Sequence, residues 1–164
     1  ESTISPERQQ ALDEGVWFHG VLQRISPQQY RPVSKNIPEP HAVASAFMIS
    51  LADAQRALQR ALTVYQDPEL QIYFDPTRYQ AAWNELDLMT VDGKSMRIDR
   101  LVELSDSLVI LDYKLSIPKP NDSLYQKYSE QLSQYRNELQ RIYPDKVIKA
   151  ILIDAQGQSL PLIH

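Results

Sequence analysis

The chain has 164 residues, 17 Lys and Arg against 21 Asp and Glu, a net charge of −4 and no Cys. That length buries a real core without staples, the acidic balance argues against wholesale adhesion to nucleic acid or anionic lipid, and the missing Cys excludes disulfides, thiolate zinc sites, Cys nucleophiles and iron–sulfur clusters. No run of about 18 apolar residues marks a membrane span and no charged-then-apolar leader opens the chain; beginning at Glu1 without Met, it is expected to be a piece of something longer.

Apolar spacing predicts a helix over residues 6–25, with Leu12, Val16, Leu22 and Ile25 on one stripe and His19 as its polar exception. Pro27, Pro32, Pro38 and Pro40 then make an irregular connection up to His41. The Ala- and Leu-rich stretch 41–65 is a second helical region, of one or two helices, offering Phe47, Leu51, Leu58, Leu62 and Tyr65 for burial. After Pro68 and Pro76 come three strand-like runs, 81–90, 95–104 and 107–115, split by Val91-Asp92-Gly93 and Ser105-Asp106, as in an antiparallel meander. A long helix follows, capped by Asn121 or Asp122, with Leu124, Tyr128, Gln131, Tyr135, Leu139 and Ile142 on one stripe until Pro144 stops it. Residues 147–153 form the next strand, parallel to the third because a helical crossover joins them, and Gly157 turns the chain into a short tail. The order is α, α, β, β, β, α, β. It describes an α/β fold with a mixed sheet and N-terminal helices packed on it: one domain over 1–164, helical over 1–66, with its core in 67–164.

Turn chemistry sets the register of the meander. A two-residue Ser105-Asp106 loop pairs Leu104 with Ser107, and counting back places Asp99 opposite Asp112 and Arg97 opposite Lys114. A three-residue Val91-Asp92-Gly93 loop, with Gly93 left-handed, pairs Thr90 with Lys94 and places Glu85 opposite Asp99. The competing two-residue Asp92-Gly93 turn would set Leu86 there and throw Glu85 to the other face. The longer loop is preferred because it also matches Asp87 with Arg97, Trp83 with Leu101 and Leu86 with Ile98. Three carboxylates in a row, with Cβ atoms about 5 Å apart, repel one another. A hard divalent cation such as Mg²⁺ or Mn²⁺ removes the conflict, and Lys114 beside it suits a phosphate oxygen or an attacking water. The plainer alternative makes Asp99 and Asp112 ordinary surface acids. Against it, the run before Asp112 is apolar, as in a buried strand.

Taken alone, His19 reads as a hydrogen-bonded helix histidine, and Gln131 and Tyr135, four apart, as the edge of a stripe. Gly93-Lys94-Ser95 looks like the end of a phosphate loop, but Leu88 stands where that loop needs Gly. Gly-x-Ser-x-Gly and His-Glu-x-x-His motifs do not occur.

Together, Gly15-x-x-x-His19-x-x-Leu22, Glu85, Arg97-Ile98-Asp99-Arg100-Leu101, Ile110-Leu111-Asp112-Tyr113-Lys114 and Gln131-x-x-x-Tyr135 resemble, in order over nearly the whole chain, the PD-(D/E)xK nuclease domain of the RecB/AddA type. The resemblance implies a restriction-endonuclease-like core, with Asp99 and Asp112 as central metal ligands, His19 as a further ligand and Lys114 as the catalytic lysine. Gln131 and Tyr135 would support the site and the nucleic-acid backbone. Glu85 would match the upstream acid, with Asp87 close by as the competitor; Leu115 departs from the Thr or Ser that often follows the lysine. Such domains stand at the C-terminal end of UvrD/Rep-like superfamily 1 helicases. The expected activity is therefore Mg²⁺-dependent hydrolysis of DNA, with Mn²⁺ as a substitute and no iron–sulfur cluster, of exonuclease type and serving double-strand break repair and recombination. Expected partners are DNA, helicase domains of the same polypeptide and a second subunit, with no membrane, in a bacterial cytoplasm at the nucleoid. Arg97, Arg100 and Lys119 would supply local positive charge for DNA. Two other readings compete: a catalytically silent DNA-binding or scaffold module of the same fold, and a small acidic protein-interaction domain whose carboxylate row is incidental.

Overall fold

The segment Ser107-Leu-Val-Ile-Leu-Asp-Tyr-Lys114 forms a strand, β3 (Ser107–Lys114), in which every residue but the last is buried. A run apolar on both faces needs a layer on each side. The computed structural model, which describes residues 3–28 and 37–161, supplies both layers. Its five-stranded sheet has the order β1 (Ala81–Met89), β2 (Ser95–Glu103), β3, β4 (Val147–Asp154), β5 (Ser159–Pro161). Neighbours are antiparallel except β3 and β4, which are parallel and joined by the crossover helix α5 (Ser123–Ile142).

One face carries α1 (Pro6–Ile25), α2 (Pro40–Phe47), α3 (Leu51–Tyr65), a 3₁₀ turn at Pro68–Leu70 and α4 (Gln71–Phe74). Phe18, Leu22, Ala57 and Phe74 pack there with Val109, Leu111 and Tyr113 of β3. On the other face, Leu132, Tyr135 and Leu139 of α5 pack on Leu108, Ile110 and Leu152. Period-two alternation sorts β3 between these layers, so Asp112 continues the α5-side row of Leu108 and Ile110.

Local chemistry explains the helix starts. Ser5 Oγ accepts the Arg8 N–H at 3.2 Å ahead of Pro6, and Ser50 Oγ accepts that of Asp53 at 3.1 Å. Asp122, not Asn121, caps α5, accepting the Leu124 N–H at 2.9 Å. The second helical region is two helices, parted at Met48, whose φ of 56° is left-handed.

Several expectations change. The buried stripe of α1 is Phe18, Val21, Leu22 and Ile25, while Leu12 and Val16 are 50% and 64% exposed. Rotating the helix to bury the large Phe18 ring leaves the two smaller side chains outside. On α3 and α5, Leu51, Leu124 and Ile142 lie exposed near the helix ends. The segments Gln71–Phe74 and Ser159–Pro161 are too short to show a period in sequence. The break expected at Pro32 lies outside the described residues, and Pro40 opens α2.

Both hairpins have the register that their turns imply. Thr90 N donates to Lys94 O at 2.8 Å, Gly93 has φ 79°, and β1 pairs with β2 from Ala81↔Glu103 to Met89↔Ser95. Leu104 N donates to Ser107 O at 2.8 Å, and the β2–β3 ladder runs from Glu103↔Leu108 to Arg100↔Leu111. The ladder stops one step short of Asp99 and Asp112, which the same count sets opposite each other.

Candidate active site

The β2–β3 ladder ends where the acids begin. Beyond Arg100, strand β2 peels away from β3, and Asp99 Oδ2 takes the backbone N–H of Tyr113 at 2.8 Å. Strict alternation also fails there, because Ile98 and Leu101 both join the α5-side core while Arg100 between them turns to the helical layer. The irregularity has a counterpart on β1: Glu85, which falls opposite Asp99 by count, has a left-handed φ of 48° and forms no ladder pair. That conformation costs a non-Gly residue about 1–2 kcal/mol.

Asp99 and Asp112 are the groups this bend brings together. Burial pushes the Asp112 carboxyl up to about 7, and the neighbouring Asp99 charge adds to the effect. Asp99 is raised as well, chiefly by burial, against the Tyr113 N–H bond and the Lys114 charge that favour its ionised form. Lys114 Nζ lies 3.4 Å from Asp112 Oδ2 without the geometry of a hydrogen bond, so this buried oxygen has no hydrogen-bond partner. An unsatisfied buried carboxylate oxygen beside a second acid is a place for a cation.

Helix α1 brings in His19, anchored by its buried neighbour Phe18. His19 Nε2 bonds the carbonyl oxygen of Tyr113, which can only accept, so this nitrogen carries the proton. Burial is the largest influence on the ring and lowers its pKa, favouring the neutral form. Nδ1 then points its lone pair at Asp99 Oδ1, 3.7 Å away. Two acceptors thus face each other across a gap that a cation would bridge. Imidazole nitrogen and carboxylate oxygen are ligands that divalent metals take. Among the described residues, no three His, Asp or Glu side chains close into one ligand set as they stand; the donors approach in pairs.

The row of three acids is thus a row of two. Glu85 turns outward toward Arg97, with Oε2 at 3.7 Å from its Nη1, although its charge still reaches His19 and Asp99. Arg97 is exposed and also bonds Asp87 at 2.9 Å, and the β2–β3 ladder ends before the expected Arg97–Lys114 pair. Arg100 must be corrected. Rather than facing solvent as a DNA contact, it is fully buried, donating to Tyr73 O, Pro27 O, Asn84 Oδ1 and Tyr79 Oη, because the β2 bend aims it into the helical layer. There it ties the end of α1 to α4 and β1.

Tyr135 of α5 is buried, and after that burial the Asp112 and Asp99 charges are the next influences raising its phenol pKa, so it borders the acid pair. Gln131, half-buried one turn earlier, offsets part of that shift. Tyr128 was legible only as part of the helical stripe, yet its ring lies 4.4 Å from Lys114 Nζ. A groove of about 930 Å³ lies elsewhere, between α5 and β5, and is lined by Tyr125, Leu132, Glu138 and Leu160.

A strand that sets Asp99 beside the Asp112 of an Asp-x-Lys, with a histidine arriving from the first helix, uses residues spread from α1 to β3. Comparison with known proteins covers the same span and more: the family described as the PD-(D/E)XK nuclease superfamily matches residues 2–160. A search of curated proteins found no match. Members of that superfamily are nucleases and ordinarily use divalent metal ions. With nearly its entire length matched, the chain belongs to the PD-(D/E)XK nuclease superfamily.

Proposed function

We propose that the chain is a Mg²⁺-dependent deoxyribonuclease domain of the RecB/AddA type, carried with superfamily 1 helicase domains and a second subunit in double-strand break repair and recombination, and that it acts as an exonuclease. The observation that carries the hydrolytic reading is the buried Asp99–Asp112 pair, its Oδ2 lacking a hydrogen bond beside Lys114.

His19, Asp99 and Asp112 would hold the divalent ion. When bound, that ion supplies Lewis-acid polarisation of the scissile phosphate and acidifies water. Lys114 orients the attacking water and offsets the charge that grows on the phosphoryl oxygens. The Asp99 bond to the Tyr113 N–H and the His19 bond to the Tyr113 carbonyl tie both side chains to the backbone of one β3 residue, so α1 and β2 arrive in fixed positions. Gln131 and Tyr135 border the strand being cut from the α5 side. Arg97 contributes little bare charge, being flanked by Asp87 and Glu85; with a net charge of −4, affinity for DNA rests on tethering to a motor that feeds the strand.

The test is incubation with linear single- and double-stranded DNA, with Mg²⁺ and with chelator. Cleavage from ends that stops with chelator is expected. Binding to DNA with no cleavage under any divalent metal would instead establish the silent module.

A further inference from the structure

Lys114 ends β3 on a four-carbon stem, so where its ammonium goes depends on what surrounds it. Its Nζ lies 4.4 Å from the centroid of the Tyr128 ring and 3.4 Å from Asp112 Oδ2. Tyr128 stands on α5 three residues before Gln131 and seven before Tyr135, hence on the helix side that borders the acid pair. Its ring is partly buried against the α5-side core and so is itself held.

We infer that Tyr128 is a positioning residue, whose ring face holds the Lys114 ammonium beside Asp112, where the nuclease reading needs it. The inference rests on that reading for its catalytic consequence and on geometry alone for the contact. An aromatic ring suits the task better than a second carboxylate would. It attracts the cation through its quadrupole while neither neutralising the charge nor using up the N–H donors, which stay available for phosphate and water. An acid at residue 128 would hold the lysine more tightly and add a third negative charge to a site already burdened by two.

The experiment compares wild type, Tyr128→Phe and Tyr128→Leu by two readouts. The first is steady-state cleavage of linear DNA with Mg²⁺. The second is the NMR shift of the Lys114 Hε protons in the metal-free protein without DNA, where a ring face overhead moves them upfield. Tyr128→Phe should keep kcat within about twofold and preserve the upfield shift. Tyr128→Leu, which keeps apolar bulk and a near-wild-type melting temperature, should lower kcat about tenfold with KM nearly unchanged, and return the Hε protons to ordinary lysine positions. A Tyr128→Leu protein with wild-type kcat, or Hε shifts indifferent to that substitution, overturns the inference. Wild type that cuts no DNA with Mg²⁺ sinks the nuclease reading alone, because the Hε shift still decides whether Tyr128 holds the ammonium.

Discussion

Asp112 is 7% exposed in its side chain, apolar residues lie along its own strand face, and a second acid stands beside it. Its pKa in the folded chain is about 7, above that of an unfolded carboxyl, so folding favours its protonated form. The resulting destabilisation is absent below pH 4, grows between there and about pH 7, and is fully present above, at most about 4 kcal/mol. Asp112→Asn should therefore melt higher than wild type at pH 8 without metal, the gap closing at pH 5, while cleavage is lost. A variant melting below wild type at pH 8 would contradict this account. Lys114→Ala makes a different prediction, since the lysine is no ligand: metal-dependent stabilisation persists while kcat falls at least about 100-fold. Glu85 stores backbone strain at φ 48°. Glu85→Gly should relieve it and stabilise the fold by about 1 kcal/mol, measured in urea, at the expense of activity if the outward acid serves the reaction.

At the scale of strands and helices, what could be read in sequence followed from turn chemistry. Gly93 and the Ser105-Asp106 pair fixed both registers, and with them the meeting of Asp99 and Asp112, because a two-residue period leaves one choice once the turns are set. What could not be read followed from irregularity. Counting by twos presumes a straight ladder, so neither the left-handed Glu85 nor the bend at Asp99 was visible, and both the outward Glu85 and the inward Arg100 come from them. Residue type misled in the same place: a guanidinium suggests a surface, yet Arg100 finds four neutral oxygen acceptors inside. Helix faces were misjudged where two stripes compete, as on α1, since periodicity gives the spacing but not which residues outweigh the others. The turn itself is testable. A Cβ at Gly93 meets nothing within 4 Å, so Gly93→Ala suffers only the penalty of its φ of 79°. It should cost about 1 kcal/mol in denaturant melts and leave cleavage intact. Deleting Val91 instead leaves a two-residue Asp92-Gly93 turn that still pairs Thr90 with Lys94, so β1 keeps its register and both cooperative melting and cleavage should survive.

The whole molecule is a sheet between two helical layers, and the candidate site draws on all three: His19 from the first helix, both acids and Lys114 from the sheet, Tyr128, Gln131 and Tyr135 from the crossover. In the unfolded chain these groups are dispersed, so a divalent ion that binds them stabilises only the folded state. At a concentration 100 times its dissociation constant, such an ion contributes about 2.7 kcal/mol, which for a chain of this size raises Tm by about 5 to 11 °C. The pH dependence has a definite sign. Binding requires Asp112 to release the proton that burial makes it hold, so the shift with Mg²⁺ should be small at pH 5.5, grow through about pH 7 and level off above. That direction is opposite to the metal-free protein, whose stability falls over the same interval, so the two melting curves should diverge as pH rises. His19→Ala should shrink the Mg²⁺ shift, because the imidazole lone pair is one of the donors lost. Equal melting temperatures with Mg²⁺ and with chelator across pH 5.5 to 8.5 would show that the Asp99–Asp112 pair is stabilised by its shared proton alone, and the metal-dependent reading would fail with it.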